Sequence, residues 1–338
     1  MNKSSDSPRD VTIDVLKGIG ILCVIIGHLG ILPSWGVQFI YSFHMPLFFI
    51  VSGYLYKPRG IKESLIKDFK HLMIPYFATC AAILFFYLLY WLYLGNSSYL
   101  HYYFIASLVG KGDEYHICKW LSTLPSIGAI WFFPALLVCK NTYNAIPNNK
   151  RLLYSALIFI CATLIGRFVL FIPFSVLSGL SAIIFYAIGD KLKTVRQIPI
   201  YYWIIGGLCW LISFAFSHIL LYHPRVDFYF IDVAGATTMT LIFYLLSKQL
   251  YRIKYIRTLL SLLGRYSLFI LCFHLIDLDC HLAKHINITR LLPVTQLIGL
   301  VLPVLLTFVF VQLSRIVSVK KVLPWYSLRY LLGRCQDY

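Results

Sequence analysis

Long apolar stretches recur along almost the whole chain and are separated by short polar segments. Ten of these stretches are long enough, or nearly long enough, to cross a lipid bilayer as helices. They cover residues 11–32, 36–56, 73–94, 124–140, 152–172, 175–190, 200–222, 229–247, 264–281 and 293–315. The pattern predicts an all-α integral membrane protein with about ten transmembrane helices, of which the fourth and sixth are short.

Composition favours a membrane protein over a soluble domain. Of the 338 residues, 59% are hydrophobic and 13% are charged, and the mean hydropathy is +0.77, well above that of soluble domains. With a cytoplasmic N-terminus, the predicted cytoplasmic segments hold most of the 30 lysine and arginine residues, in keeping with the positive-inside rule. This bias predicts that both termini are cytoplasmic. It also accounts for the net charge of +17 without a nucleic acid partner.

The chain shows no internal repeat, no low-complexity linker and no soluble domain at either end. We therefore expect one membrane domain over residues 1–338, with a core of about 10–315 and short cytoplasmic tails. The nine cysteines are scattered without a C-x-x-C pair, so we expect neither a disulfide framework nor a metal site. The longest external loop, at about 95–123, is where we expect a lid or a substrate contact.

The first apolar stretch carries two ionisable residues, Lys17 and His28. Ionisable side chains are costly inside a bilayer and usually serve a function there. Eleven residues at about 100° each place both on one helix face, about 16 Å apart. That face would join the two ends of a membrane channel or cleft. Asp14, three residues before Lys17, is expected to form an ion pair with it.

The second apolar stretch brings His44 towards His28. With the first helix running outward and the second inward, His44 lies about two turns below the external surface. Pro46, two residues later, is expected to free a backbone carbonyl and bend the helix. Such a bend predicts a polar pocket beside His28.

Several ordered motifs resemble those of a known enzyme family. They are Asp14-Val15-Leu16-Lys17 with His28, Phe43-His44-Met45-Pro46 with Ser52-Gly53-Tyr54, Ile74-Pro75-Tyr76, Trp131-Phe132-Phe133-Pro134, Phe185-Tyr186-Ala187-Ile188-Gly189, and Leu263-Gly264-Arg265-Tyr266 with His274. Together they cover about residues 10–315 and resemble the acyltransferase family 3 membrane acyltransferases, in particular their short polysaccharide O-acetyltransferase branch. Where family members often have arginine before the proline of the third helix, this chain has Lys67, Lys70 and His71.

The resemblance implies transfer of an acyl group, usually acetyl, from cytoplasmic acetyl-CoA to a sugar hydroxyl on the external face. The acceptor would be an envelope polysaccharide or a lipid-linked glycan, in a bacterial inner membrane. His28 would take the proton of the attacking hydroxyl, with an acyl-histidine intermediate as the alternative. The phosphates of the donor would be bound by a basic cluster on the cytoplasmic side: Lys17 with Lys57, Arg59, Lys67 and Lys70, joined by His71 and, beside Lys17, Asp14.

Four further residues are candidates for the site. His44 and Arg167 are candidates for catalysis. Arg167 would stabilise the oxyanion or bind an acidic acceptor, and the alternative is an interfacial anchor without a catalytic role. Trp131 and His274 are candidates for binding the acceptor. For Trp131 the alternative is side-chain packing, and for His44 it is an imidazole that faces water near the interface.

Two other functions are compatible with the same features. A transporter or flippase would use His28, His44 and Arg167 as a proton or substrate path. A non-catalytic membrane domain would keep the helices without the reaction. Loss of acyl transfer in a His28→Ala variant of unchanged abundance separates an enzyme from both.

Overall fold

The computed structural model describes residues 10–110, 112, 126–168, 172–217, 221, 227–287 and 291–316. Over these residues the secondary structure is helical and includes no strand, which confirms the predicted fold class there. The helices are α1 (Val11–His28), α2 (Ser34–Tyr41), α3 (His44–Tyr54), α4 (Ile61–Leu94), α5 (Ser98–Val109), α6 (Phe132–Ala145), α7 (Arg151–Phe168), α8 (Val176–Ser181), α9 (Ile183–Leu192), α10 (Ile200–Phe216), α11 (Phe230–Leu250), α12 (Lys254–Arg265), α13 (Ser267–Cys280), α14 (Leu282–Ile286) and α15 (Leu292–Ile316). Short 3₁₀ turns cover Gly128–Trp131 and Asn148–Lys150.

Several helices are long and apolar enough to cross a membrane, so the protein is an integral membrane protein. In the described part of the chain there are six such segments: Val11–His28, Ser34–Tyr54, Ile61–Leu94, Asn148–Phe168, Phe230–Leu250 and Leu292–Ser314. The pair α12 and α13, bent by 72°, makes a seventh if it forms one span.

The predicted number of ten spans stays a prediction. The apolar stretches predicted at 124–140, 175–190 and 200–222 form helices that are shorter than a full span: α6, the pair α8 and α9, and α10. Breaks in the helix, which an apolar pattern does not show, account for much of the difference. Residues 1–9 and 317–338 lie outside the described residues, so the cytoplasmic position of both termini also stays a prediction.

The break in the second predicted helix comes before His44 rather than at Pro46. α2 ends at Tyr41, and Ser42 and Phe43 separate it from α3. Pro46 lies in the first turn of α3, where the missing backbone N–H costs no hydrogen bond because that position has no partner within the helix. The bend predicted at Pro46 is therefore wrong, although the interruption still lies next to His44.

α4 begins at Ile61, about three turns before its predicted start at residue 73. The basic segment before the apolar stretch is therefore helical and not a loop. Lys70 and His71 follow Lys67 by three and four residues, so both share a face of α4 with it. Within the predicted external loop of about 95–123, α5 covers Ser98–Val109, while residues 111 and 113–125 lie outside the described residues.

Glycines let the helices around the site cross at very short distances. A Cβ atom on Gly264 of α12 would lie 1.8 Å from the carbonyl oxygen of Asp14. One on Gly18 of α1 would lie 2.1 Å from the carbonyl oxygen of Leu260. α3 and α9 cross in the same manner. Backbone contact of this kind fixes α12, and with it the start of α13, against the first half of α1.

Candidate functional site

A cavity of about 740 Å³ lies among the helices that carry most of the predicted site residues. Its walls come from α1 to α4, α6, the 3₁₀ turn Gly128–Trp131 and the junction of α12 with α13. α1 runs antiparallel to α2 and α3, since Gly27 faces Tyr41 and Gly20 faces Phe48. The start of α1 and the end of α3 therefore lie at one end of the cavity, and the end of α1 lies at the other.

The cavity is strongly basic near the start of α1. The lining side chains there are Lys17, Lys57, Arg59, Lys67, Lys70 and Arg265, with His71 beside them. The ion pair predicted between Asp14 and Lys17 is present, with an N–O distance of 3.9 Å, and Asp14 is buried. So many positive charges around one space favour the binding of a polyanion.

A buried ion pair joins two walls at this basic end. Asp68 of α4 accepts a hydrogen bond from Lys140 of α6 at 2.6 Å and another from Ser64 at 3.2 Å. The charge of Lys140 is thereby balanced within the protein. Sequence reasoning did not find this pair, because 72 residues separate its members and no local pattern relates them.

The other end of the cavity is built around His28, the last residue of α1. Its imidazole is exposed and lines the cavity, and its Nδ1 lies 3.4 Å from the hydroxyl oxygen of Tyr41. The Tyr41 ring centroid lies 5.0 Å from that of His44. His44 is buried, with its Nδ1 2.9 Å from the carbonyl oxygen of Ile40, which disfavours the alternative of an imidazole that faces water near the interface. His28 and His44 both line this cavity, as predicted, and Tyr41 bridges them.

His274 of α13 approaches His28 from another helix. Its side chain has 0% relative exposure, and its ring centroid lies 5.8 Å from that of His28. Among the described residues, neither ring nitrogen of His274 has a hydrogen-bond partner. Leaving a buried polar group unsatisfied costs about 1–3 kcal/mol, and catalytic groups are among those that proteins leave in this state.

The remaining candidates differ in position. Trp131 lines the cavity and is almost fully buried. Arg167 lies near the end of α7, with its guanidinium 5.6 Å from the ring centroid of Tyr229, and it does not belong to the described lining of the cavity. That position favours the alternative of an interfacial anchor. Within the described ranges, no three His, Cys, Asp or Glu side chains are grouped as metal ligands.

Two residues of the cavity had no role assigned from the sequence. Tyr41 contacts His28 only because the chain reverses between α1 and α2, and no spacing rule within one helix relates them. Arg265 belongs to the motif Leu263-Gly264-Arg265-Tyr266, yet the motif alone does not indicate which way this side chain points. The close crossing at Gly264 is what brings it to the cavity.

Comparison with known proteins identifies the family. Residues 10–316 match the family model described as an acyltransferase domain. The nodulation protein NolL of Sinorhizobium fredii is 36% identical over 89 residues, a match that covers 22% of this chain and 24% of that protein. The chain thus spans about a quarter of that relative, and no solved structure matches. Because the family model covers almost the entire described chain, the protein belongs to the acyltransferase 3 family, as its motifs predicted.

Proposed function

We propose that the protein is a membrane O-acyltransferase that moves an acetyl group from cytoplasmic acetyl-CoA to a hydroxyl of an envelope polysaccharide or lipid-linked glycan. The observation that carries this proposal is a single cavity with basic side chains near Lys17 and imidazoles near His28. Membership of the family supports acyl transfer as the reaction. The proposed location is a bacterial inner membrane, with about ten spans and both termini in the cytoplasm.

The basic end of the cavity suits the donor. Coenzyme A carries a diphosphate and a 3′-phosphate, and lysine and arginine are the side chains that bind phosphate best. Lys17 and His28 are about 16 Å apart along α1. An extended pantetheine arm has a similar length, so phosphates held near Lys17 would place the thioester beside His28.

The imidazole end suits attack by a hydroxyl. His28 accepts the proton of the acceptor hydroxyl while the oxygen attacks the thioester carbonyl carbon. The tetrahedral intermediate then expels the thiolate of coenzyme A, and the imidazolium returns the proton to that sulfur. Tyr41, 3.4 Å from Nδ1, would orient the ring and so determine which nitrogen faces the substrate. Transfer through an acetylated His28 is the mechanistic alternative.

Reconstituted vesicles test the proposed function. Acetyl-CoA labelled in the acetyl group is added with envelope glycan from the host, and alkali-labile label on the glycan is measured. We expect labelled glycan with the protein and none with empty vesicles. Movement of glycan across the vesicle without consumption of acetyl-CoA would instead indicate a transporter. Binding of acetyl-CoA without transfer to any glycan would indicate a non-catalytic domain.

The Lys17→Ala variant is expected to raise the KM for acetyl-CoA about 10-fold or more while changing kcat less. A hydrogen bond to a charged group contributes about 1.5–3 kcal/mol, and loss of binding common to ground and transition states appears in KM. The matched control is Lys62→Ala, an exposed lysine of α4 that lies outside the cavity lining. A loss confined to kcat would contradict a role for Lys17 in holding phosphate.

The Tyr41→Phe variant is expected to lower kcat about 2- to 10-fold, the worth of one neutral hydrogen bond. The aromatic ring still packs against Gly27, so membrane abundance should not change. Initial rates at saturating acetyl-CoA measure the effect. An unchanged kcat would show that Tyr41 does not orient His28.

A further inference from the structure

We propose that Arg265 and Lys17 form an inner subsite for the diphosphate of the donor, distinct from an outer subsite at Lys57 and Arg59 that receives the 3′-phosphate. This inference rests on the proposed function. It assigns a substrate contact to Arg265, and it divides the basic residues of the cavity between two parts of one ligand.

Arg265 reaches the cavity because of the way α12 crosses α1. It is the last residue of α12, at the 72° bend that leads into α13. The preceding Gly264 lies directly against α1, where an added Cβ would be 2.8 Å from the backbone nitrogen of Gly18. Lys17 is the neighbour of Gly18 along α1, and both Lys17 and Arg265 line the cavity. The crossing therefore brings two positive side chains to one level of the cavity wall.

The guanidinium of Arg265 lacks a polar partner in the described part of the chain. Its Nε is buried without a hydrogen-bond partner, and among the described residues its side chain makes no hydrogen bond or ion pair. The central carbon of the guanidinium lies 5.6 Å from the centroid of the Tyr266 ring. Two other cations near this end are paired within the protein: Lys140 lies 2.6 Å from Asp68, and Lys193 lies 2.7 Å from Asp190. Because a buried Nε without a partner is costly, the arrangement favours an anionic ligand at Arg265.

The start of α13 adds donors to the same place. Ser267, Leu268 and Phe269 form the first turn of this 14-residue helix and line the cavity. First-turn N–H groups have no partner within a helix, and the positive end of the helix dipole lies there. An arginine fork, a lysine and a helix N-terminus together form a suitable environment for a diphosphate.

Distance decides which phosphate belongs at this level. The pantetheine arm links the diphosphate to the thioester, and the Lys17–His28 separation of about 16 Å matches that arm. The 3′-phosphate lies on the ribose, beyond the diphosphate and away from the thioester. Lys57 and Arg59 follow the end of α3 in the connection to α4 and line the cavity there, so they are placed to contact it.

Donor truncation tests this division. Acetyl transfer is measured with acetyl-CoA, with 3′-dephospho-acetyl-CoA, which lacks only the 3′-phosphate, and with S-acetylpantetheine, which lacks all phosphates. For Arg265→Gln we expect kcat/KM to fall about 10-fold or more with both phosphorylated donors and to stay unchanged with S-acetylpantetheine. For Lys57→Ala we expect a loss with acetyl-CoA and none with the 3′-dephospho donor.

Two further variants separate binding from structure. Arg257→Gln makes the same change on the same helix, at a residue that stacks on Tyr251 outside the cavity lining, and should match the wild type. Arg265→Lys keeps the charge but loses the bidentate fork, so it should recover part of the lost kcat/KM.

Results of the donor-truncation experiment that differ from these expectations contradict specific parts of the proposal. An equal loss with all three donors in Arg265→Gln would mean that Arg265 only supports the bend, which overturns the subsite. A loss in Arg265→Gln that disappears with the 3′-dephospho donor would place the 3′-phosphate at Arg265 and overturn the division. If the wild type uses none of the donors, the proposed function fails, and the inference fails with it.

Discussion

The His28→Ala variant is expected to lower acetyl transfer to glycan by about 10²- to 10⁴-fold, the usual contribution of a general base. The side chain is exposed in the cavity and packs no core, so its removal should leave the folded protein intact. The measurement is alkali-labile label on glycan per mole of reconstituted protein. Acetyl-CoA binding should persist, because the basic end of the cavity is unchanged.

The matched control for this variant is His285→Ala. His285 lies in α14, is exposed, and does not line the cavity, so its variant should transfer acetyl at the wild-type rate. Activity of His28→Ala near that of the wild type would contradict the assigned base. It would direct attention to His44 and His274, the other imidazoles at this end.

The same pair of proteins distinguishes the two chemical routes. If acetyl passes through His28, wild-type protein incubated with labelled acetyl-CoA in the absence of acceptor and then denatured should retain label. The His28→Ala variant should not. Direct transfer predicts no label on either protein. Once His28→Ala has lost acetyl transfer, the two results differ only in whether the His28 nitrogen carries the proton or the acetyl group.

The Gly264→Ala variant is expected to lose much of its stability and with it donor binding. Its Cβ would lie 1.8 Å from the carbonyl oxygen of Asp14, a backbone atom that cannot move unless α12 separates from α1. Overpacking of this kind costs on the order of 1–3 kcal/mol or more. Separation would also move Arg265 away from Lys17. Thermal unfolding of the purified protein in detergent, with acetyl-CoA binding measured below the midpoint, tests both effects.

Gly207→Ala provides the control for glycine replacement in a helix. Gly207 lies inside α10, and nothing stands within 4 Å of a Cβ placed there. Alanine is a better helix former than glycine by about 0.5–1 kcal/mol, so this variant should be as stable as the wild type or slightly more so. If Gly264→Ala unfolded at the same temperature as the wild type, the close crossing would not be needed to hold the site together.

The prediction from the apolar pattern agrees best with the structure where a feature lies within a single helix. α1 begins at Val11 as predicted, and it carries Lys17 and His28 into one cavity. The ion pair of Asp14 with Lys17 follows from the same helical spacing. Agreement is poorer where helices break, as before His44 and at Tyr266, because an apolar run continues through a break that tertiary contacts stabilise.

What the sequence determined by itself is the membrane class, the family and the Lys17–His28 axis, since composition, ordered motifs and the period of a helix are local properties. Only the tertiary structure decided which residues complete the two ends of the cavity. Tyr41 joins His28 because the chain reverses between α1 and α2, and Arg265 joins Lys17 because α12, distant in the chain, packs on α1 through the backbone contact at Gly264. Such contacts depend on the shapes of both surfaces, and neither helix alone specifies them.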